Sequence, residues 1–289
     1  MTTTRLRRSV LYMPGSNPRA LAKAEALPAD ALILDLEDAV TPAEKPQARE
    51  LVTEAVRGGK LAPREVAIRV NGRDTPWGEA DLTAAALAGP DAILIPKVES
   101  AAELIEISAE IDAAGAPPQT QLWAMIETPK GVLNAADIAT APRLTTFILG
   151  TNDLVNELRA EHTPDRMPVA ASLGLAVLAA RGSGLSIIDG VYNAFRDEAG
   201  LRAQCEQGKA WGMDGKTLIH PAQIAVTNEV FAPQPGEIAQ ARRYVAAFEE
   251  ARAAGSGVAV VDGRIVENLH VANAERLLAL AEAIAARQG

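Results

Sequence analysis

Among its 289 residues the chain has one cysteine, three histidines and only 3% aromatic residues. A lone Cys205 excludes a disulfide framework and any cysteine-based zinc site. His162, His220 and His270 lie far apart, which argues against a His-rich metal site. So few aromatic rings make a poor stacking platform for bases or sugars. No run reaches about 18 consecutive apolar residues, so no membrane-spanning segment is expected. The opening MTTTRLRRSVLYMPG has basic residues but neither the long apolar stretch nor the cleavage site of a secretory signal, and a cytoplasmic protein is expected. Basic residues are in deficit, 28 Lys+Arg against 37 Asp+Glu, for a net charge of −9. That excludes the basic face of a general nucleic-acid binder.

What is present is an ordinary globular balance of 48% hydrophobic and 22% charged residues. Short apolar or β-branched runs alternate with longer Ala/Leu/Glu-rich runs. The strand candidates are Ser9–Met13, Ala31–Asp35, Glu65–Val70, Ala92–Pro96, Gln121–Ile126, Thr145–Gly150, Leu185–Asp189 and Asp214–Ile219. Runs such as ALILDL and DAILIPK are apolar throughout, as strands covered on both faces are. Helix-like runs lie between them, among them Ala43–Val56, Ala80–Ala88, Ala101–Ala114, Gly131–Thr140, Ala171–Arg181 and Arg196–Ala210. Eight strands repeating about every 30 residues predict a (β/α)8 TIM barrel. An open doubly wound sheet competes, but PGSNP after the first strand is no GxGxxG turn.

After His220 the pattern changes at Pro233, Pro235 and Gly236. Two long helices, Glu237–Ala254 and His270–Arg287, flank SGVAVVDGRIVEN, where Asp262-Gly263 is a two-residue hairpin signal. The expected organisation is a catalytic barrel over 1–232 and a C-terminal helix–hairpin–helix extension over 233–289, packed on the barrel or on a neighbouring subunit.

Active sites of such barrels lie at the C-terminal ends of the strands. Standing there are Asp35, Glu37 and Asp38, then Arg69 and Asn71, Lys97, Glu127, Gly150 to Asp153, and His220. Carboxylates at the ends of apolar strands are costly unless paired or bound to a cation. With few His and no usable Cys, they suit a hard ion that keeps waters, hence Mg²⁺. Glu127 and Asp153 are the expected metal ligands, with Glu37 and Asp38 holding metal-bound water. The plainer alternative is that Asp38 caps a helix and Glu37 pairs with Arg69 or Lys97. Lys97 as a Schiff-base lysine is a further alternative. His220 is expected to orient a turn or cap a helix, and Cys205, Trp77 and Trp123 to pack.

The segments RSVLYMPGSNPRALAKA, LILDLEDAV, VAIRVN, AILIPKVES, AMIETPKG, ILGTNDL and DGKTLIHPAQ occur in one order along the chain. Together they resemble the citrate lyase β-subunit-like branch of the HpcH/HpaI aldolase superfamily. DGVYNAFRDEAGLRAQCEQGKAWGMDGKTLIHP with VVDGRIVENLH is similar to its malyl-CoA lyase and (3S)-malyl-CoA thioesterase subgroup. The resemblance implies a Mg²⁺-dependent barrel enzyme acting on CoA thioesters of 3-hydroxy dicarboxylic acids. It implies metal ligands at Glu127 and Asp153, metal-water contacts at Glu37 and Asp38, and an enolate-stabilising arginine at Arg69. CoA contacts fall on Tyr12, Pro14, Gly15 and Lys23. An acid/base carboxylate comes from the C-terminal segment of a neighbouring subunit, so a homo-oligomer, trimer or hexamer, is implied. That position is usually Asp in a lyase and here is Glu267, whose extra methylene carries the carboxylate about 1.5 Å farther and suits activation of water.

The resemblance therefore implies retro-Claisen cleavage to acetyl- or propionyl-CoA and a small 2-oxo acid, with or without thioester hydrolysis. The alternatives are a dedicated (3S)-malyl-CoA thioesterase, a citryl-thioester lyase β subunit, and a catalytically silent binding or scaffold relative. The intact Glu127, Asp153 and Arg69 argue against the last.

Overall fold

A computed structural model of the chain describes residues 5–288. Eight strands, β1 (Ser9–Pro14), β2 (Ala31–Asp35), β3 (Glu65–Arg69), β4 (Ala92–Ile95), β5 (Gln121–Ile126), β6 (Leu144–Leu149), β7 (Ser186–Asp189) and β8 (Gly215–Leu218), close in chain order into a parallel barrel. Helices α1 (Pro18–Ala24), α2 (Lys45–Arg57), α3 (Gly78–Ala88) and α4 (Ala101–Ala113) follow the first four strands. Next come α5 (Pro129–Leu133), α6 (Ala135–Ile138), α7 (Thr151–Glu157), α8 (Ala170–Gly182), α9 (Glu198–Ala210) and α10 (Ile224–Phe231). The expected (β/α)8 barrel is thus the fold.

Strand side chains alternate between two cores. Val10, Ala31, Ile33, Ala67, Leu94, Trp123 and Ile148 fill the barrel, whereas Leu11, Leu32, Leu34, Ile68 and Ile93 pack in the larger core with the helices' apolar faces. The same alternation, continued one step past the barrel core, aims Tyr12, Asp35, Arg69 and Glu127 inward at the C-terminal mouth. At the other end, Arg7 pairs through Nε and Nη2 with Glu65 at 2.6 and 2.7 Å. Its guanidinium lies over the Trp123 ring and its Nη1 donates to Ser186 Oγ, 2.8 Å away.

Two local differences from the sequence reading have physical causes. The expected single helix over 131–140 is broken in two at Asn134, whose backbone leaves the helical region (ψ 5°) and whose Nδ2 donates to the Glu99 carbonyl. The helix expected from Arg196 begins at Glu198, because the Asp197 side chain caps it through Gly200 N–H. The helices α1, α7 and α10 have 7, 7 and 8 residues, too few for an amphipathic period to stand out.

The chain divides into two compact units, one of residues 7–229 and one containing 230–288 with residues 5 and 6. The second holds α11 (Pro235–Ala253), an antiparallel pair β9 (Ala259–Val261) and β10 (Arg264–Val266), and α12 (Asn268–Gln288). The turn has Asp262 and Gly263 at φ 49° and 73°, as a two-residue hairpin requires. Phe248, Val261, Val266 and Val271 form its small core. Among the described residues no helix is long and apolar enough to cross a membrane.

Candidate active site

The geometry of the mouth starts at Asp35, the last residue of β2. Its carboxylate takes four N–H groups. Glu37 N and Ala39 N close the following turn at 2.9 and 3.1 Å, and Arg69 Nε and Nη2 make a two-pronged pair at 2.7 and 2.6 Å. The register Asp35↔Arg69 sets the two residues side by side on adjacent strands. The Arg69 guanidinium also lies 4.8 Å over the Tyr12 ring. Burial opposes its charge, but Asp35, Tyr12 and Glu37 raise its pKa well above the arginine value. Nη1 is the arm that Asp35 leaves, and it faces Asp38 at 3.3 Å.

Glu37 Oε2 lies 2.8 Å from the same Nη1 but receives no aligned hydrogen bond, and the atom is buried. Burial, reinforced by Asp38, Glu127 and Asp35 and opposed by Arg69, pushes the Glu37 carboxyl up to about 8. The loop is braced from below by Lys45 of α2. Its Nζ donates to the carbonyls of Leu36 and Glu37, each at 2.9 Å, and to Asn71 Oδ1 at 2.7 Å.

Glu127, just past β5, is 2% exposed. Its Oε1 accepts the Lys97 backbone N–H at 2.9 Å, a contact made by turning Lys97 into the left-handed region at φ 49°. Burial and then the neighbouring Asp153 charge push the Glu127 carboxyl up to about 7, against the Lys97 N–H, Arg69 and the Lys97 ammonium. Gly150 follows β6 and lies against this carboxyl: a Cβ there would lie 2.2 Å from Glu127 Oε2. Glycine is therefore required where the carboxylate is seated. Asp153, in the first turn of α7, has Lys97 Nζ at 3.9 Å.

These groups surround a cavity of about 280 Å³, bordered also by Met125, Val191 and Ile219. Asp35, Asp38, Glu127, Asp153 and Arg69 line it, and Glu37 and Lys97 stand beside them. Five carboxylates thus face two cations, one of which Asp35 already neutralises. Among the described residues no three His, Cys, Asp or Glu side chains converge as a metal cage. Glu127 and Asp153 form a pair, and a pair of oxygen donors fits an ion that retains water.

Of the residues expected from sequence, Glu37, Asp38, Arg69, Glu127, Asp153 and Tyr12 gather at this mouth. Tyr12 stands beneath Arg69. Pro14 and Gly15 stand at the end of β1, where a Cβ on Gly15 would lie 2.5 Å from the Asp35 carbonyl oxygen, and Lys23 is exposed in the last turn of α1. Glu267 belongs to the C-terminal unit and is exposed; its N–H donates to His270 Nδ1. It is Asp35, not Asp38, whose side chain closes the turn after β2. His220 caps a short turn, with Nδ1 accepting Ala222 N–H at 3.1 Å. Sequence reasoning placed Asp35 and Gly150 at the strand ends but gave them no role, and it did not name Lys45, Met125 or Asn193. The period-2 alternation from Ile33 would have pointed Asp35 inward, and the same step from Trp123 reaches Met125.

A closed parallel barrel with an acidic, oxygen-only cluster at its C-terminal mouth has the architecture in which (β/α)8 enzymes place their active sites. The chain belongs to the HpcH/HpaI aldolase/citrate lyase family, whose profile matches residues 8–221. It is 58% identical over 279 residues to a (3S)-malyl-CoA thioesterase of Cereibacter sphaeroides, covering 96% of either chain. It is 38% identical over 289 residues to the citrate lyase subunit beta of Leuconostoc mesenteroides, covering 98% of this chain and 96% of that one. The solved protein CitE from Mycobacterium tuberculosis, in complex with magnesium, acetoacetate and coenzyme A, matches with a TM-score of 0.78 and 32% identity over 95% of this chain and 97% of that one.

Proposed function

We propose that the chain is a Mg²⁺-dependent enzyme of malyl-CoA-type thioesters and that its main reaction is hydrolysis of the thioester. The observation that carries this reading is the Glu127–Asp153 pair in a mouth with surplus negative charge, beside an arginine locked by Asp35. The surplus and the raised Glu37 and Glu127 carboxyls fit a hard divalent cation held by Glu127 and Asp153. When bound, that ion neutralises the acids and polarises the substrate's carboxylate and hydroxyl.

The chain's own groups divide the remaining work. Arg69 Nη1, held by the Asp35 fork, is a fixed cationic donor for a carbonyl oxygen on which negative charge grows. Glu37 and Asp38 would orient water beside the ion held by Glu127 and Asp153. Glu267 of a neighbouring copy removes a proton from water, whose oxygen attacks the thioester carbon. The C–S bond then breaks, the thiolate takes up that proton, and a hydroxy dicarboxylic acid and a free thiol leave. Pro14, Gly15 and Lys23 are the proposed contacts for the coenzyme A portion. The assembly is a homo-oligomer, trimer or hexamer, located in the cytoplasm. The name of the relatives at 58% identity favours hydrolysis.

The 38% likeness to citrate lyase subunit beta favours a second reading on the same residues. There the hydroxyl gives its proton to Glu267 as the bond between the hydroxyl-bearing carbon and the α-carbon breaks, giving a 2-oxo acid and an enolate. Arg69 holds the enolate oxygen and Glu267 returns that proton to the α-carbon.

Pure protein with Mg²⁺ and malyl-, citramalyl- or citryl-CoA tests both. Free thiol with the hydroxy acid is the expected product set; 2-oxo acid with acetyl-CoA selects cleavage. Inertness toward all three sinks the enzymatic reading. Mixing Glu267→Gln with Asp153→Asn protein should restore activity to a subunit mixture, and no recovery removes Glu267 from its role.

A further inference from the structure

We infer that Asn152 and Asn193 form a binding site for the secondary amides of the substrate's thiol arm; the inference rests on the thioester reading above. The two carboxamides come from different loops, Asn152 from the first turn of α7 and Asn193 from the segment between β7 and α9. Both border the cavity. They exchange two hydrogen bonds, Asn193 Nδ2 donating to Asn152 Oδ1 at 3.0 Å and Asn152 Nδ2 donating to Asn193 Oδ1 at 3.3 Å.

The pair does not hold its own walls in place. Gly190 N–H is tied to Asp189 Oδ1 at 2.9 Å, and a Cβ on Gly190 would lie 2.5 Å from Thr151 Oγ1 and 2.9 Å from the Leu149 carbonyl oxygen, so the two segments already meet at Gly190 without the asparagines. Gln223 Nε2 donates to the Tyr192 carbonyl at 2.9 Å, and Tyr192 Oη donates to Asp197 at 2.6 Å. Asn193 is thus presented by a segment fixed on both sides of it. Each carboxamide is left at the rim with polar capacity turned to solvent.

The chemistry of this side of the cavity differs from the other. The β2, β5 and β6 ends bring Asp35, Asp38, Glu127 and Asp153, whereas the β7 and β8 ends bring Asn193, Thr217, Val191 and Ile219. This neutral wall offers no cation for a phosphate or carboxylate. With Asn152 reaching across from the β6 end, it offers paired donors and acceptors beside aliphatic side chains. A secondary amide presents one donor and one acceptor on opposite edges of its trans plane, on a neutral, partly apolar chain, so it can accept from the Nδ2 of one asparagine or donate to the Oδ1 of either in place of one bond of the Asn152–Asn193 pair. The thiol arm of coenzyme A carries two such amides. The acyl end is then directed to the acidic side, and the arm leaves along the neutral one.

The test is calorimetric binding of free coenzyme A to the full-length protein, with Asn152→Ala, Asn193→Ala and Asn193→Asp. Loss of a neutral hydrogen bond should weaken coenzyme A by about 3- to 10-fold in each variant. Asn193→Asp should lose as much as the alanine, since it keeps the shape but loses the N–H donors. KM for malyl-CoA should rise in step, with kcat, inhibition by malate and melting temperature close to wild type. Unchanged coenzyme A affinity in the variants overturns the inference alone, as does an equal weakening of malate. Wild-type protein that binds no coenzyme A removes both this site and the proposed function.

Discussion

Arg69 is buried and yet carries one arm turned toward the reacting region, because Asp35 takes its other two donors and Tyr12 supports its face. Asp35→Asn keeps the shape and one acceptor but removes the charge and half of the fork. A guanidinium free to shift by about 1 Å loses on the order of 100-fold in rate. We expect kcat/KM to fall by about that factor while coenzyme A affinity holds. A rate loss no larger than the loss of stability would make Asp35 a fold residue only. At Glu127 the opposite trade holds. Its carboxyl sits well above the ordinary carboxylate range, so the ionised form opposes folding when no cation is present. Glu127→Gln should therefore melt at a higher temperature than metal-stripped wild type near pH 8. It should also bind Mg²⁺ at least about 10-fold more weakly, as read by calorimetry. The two effects have opposite signs, so they cannot be one general disturbance.

At the scale of elements, the carboxylate just past β5 is seated in a notch left by the glycine that follows β6. Gly150→Ala has an allowed backbone at φ −99° but drives a methyl into Glu127. Overpacking of this kind costs about 1–3 kcal/mol, read from the urea midpoint. Metal affinity should fall together with activity, and an active Gly150→Ala protein with normal Mg²⁺ affinity would contradict this seating. The strands themselves were legible in the sequence: all eight appear within a residue or so of the expected runs, because burial on both faces keeps them rich in apolar and β-branched residues, with most polar ones near their ends. So was the row of acids and Arg69 at their ends. What the runs did not carry was lateral register. That Asp35 faces Arg69, that Lys45 reaches back to the loop of Glu37, and that Asn193 meets Asn152 each depend on contacts between groups 8 to 41 residues apart that no single run contains. The break at Asn134 was equally hidden, since it answers to the Glu99 carbonyl on another loop.

At the scale of the whole molecule, charge is buried in a second place, between the barrel wall and α9. Asp189 accepts from Lys216 Nζ at 2.8 Å and Arg166 Nη1 at 2.7 Å, and both Asp189 and Lys216 have no exposed surface. This cluster joins β7, β8 and the segment before α8. Burial pushes the Asp189 carboxyl up, but Lys216 and Arg166 prevail and hold it below the usual range. A depressed carboxyl contributes stability at every pH above its ordinary value and loses it as acid is added below that value. Asp189→Asn leaves two buried cations short of their partner and should cost about 3–5 kcal/mol at neutral pH. Relative to wild type its deficit should shrink as pH drops under about 4. A constant deficit across that interval, measured by urea unfolding, would assign the loss to shape instead of charge.

The far end of the barrel has its own consequence for traffic. Arg7 and Glu65, wedged over Trp123, stopper the tube below the chemistry. Whatever enters must leave by the same door, so a second molecule cannot queue behind the first. A long ligand is obliged to keep its tail outdoors while its head is inside.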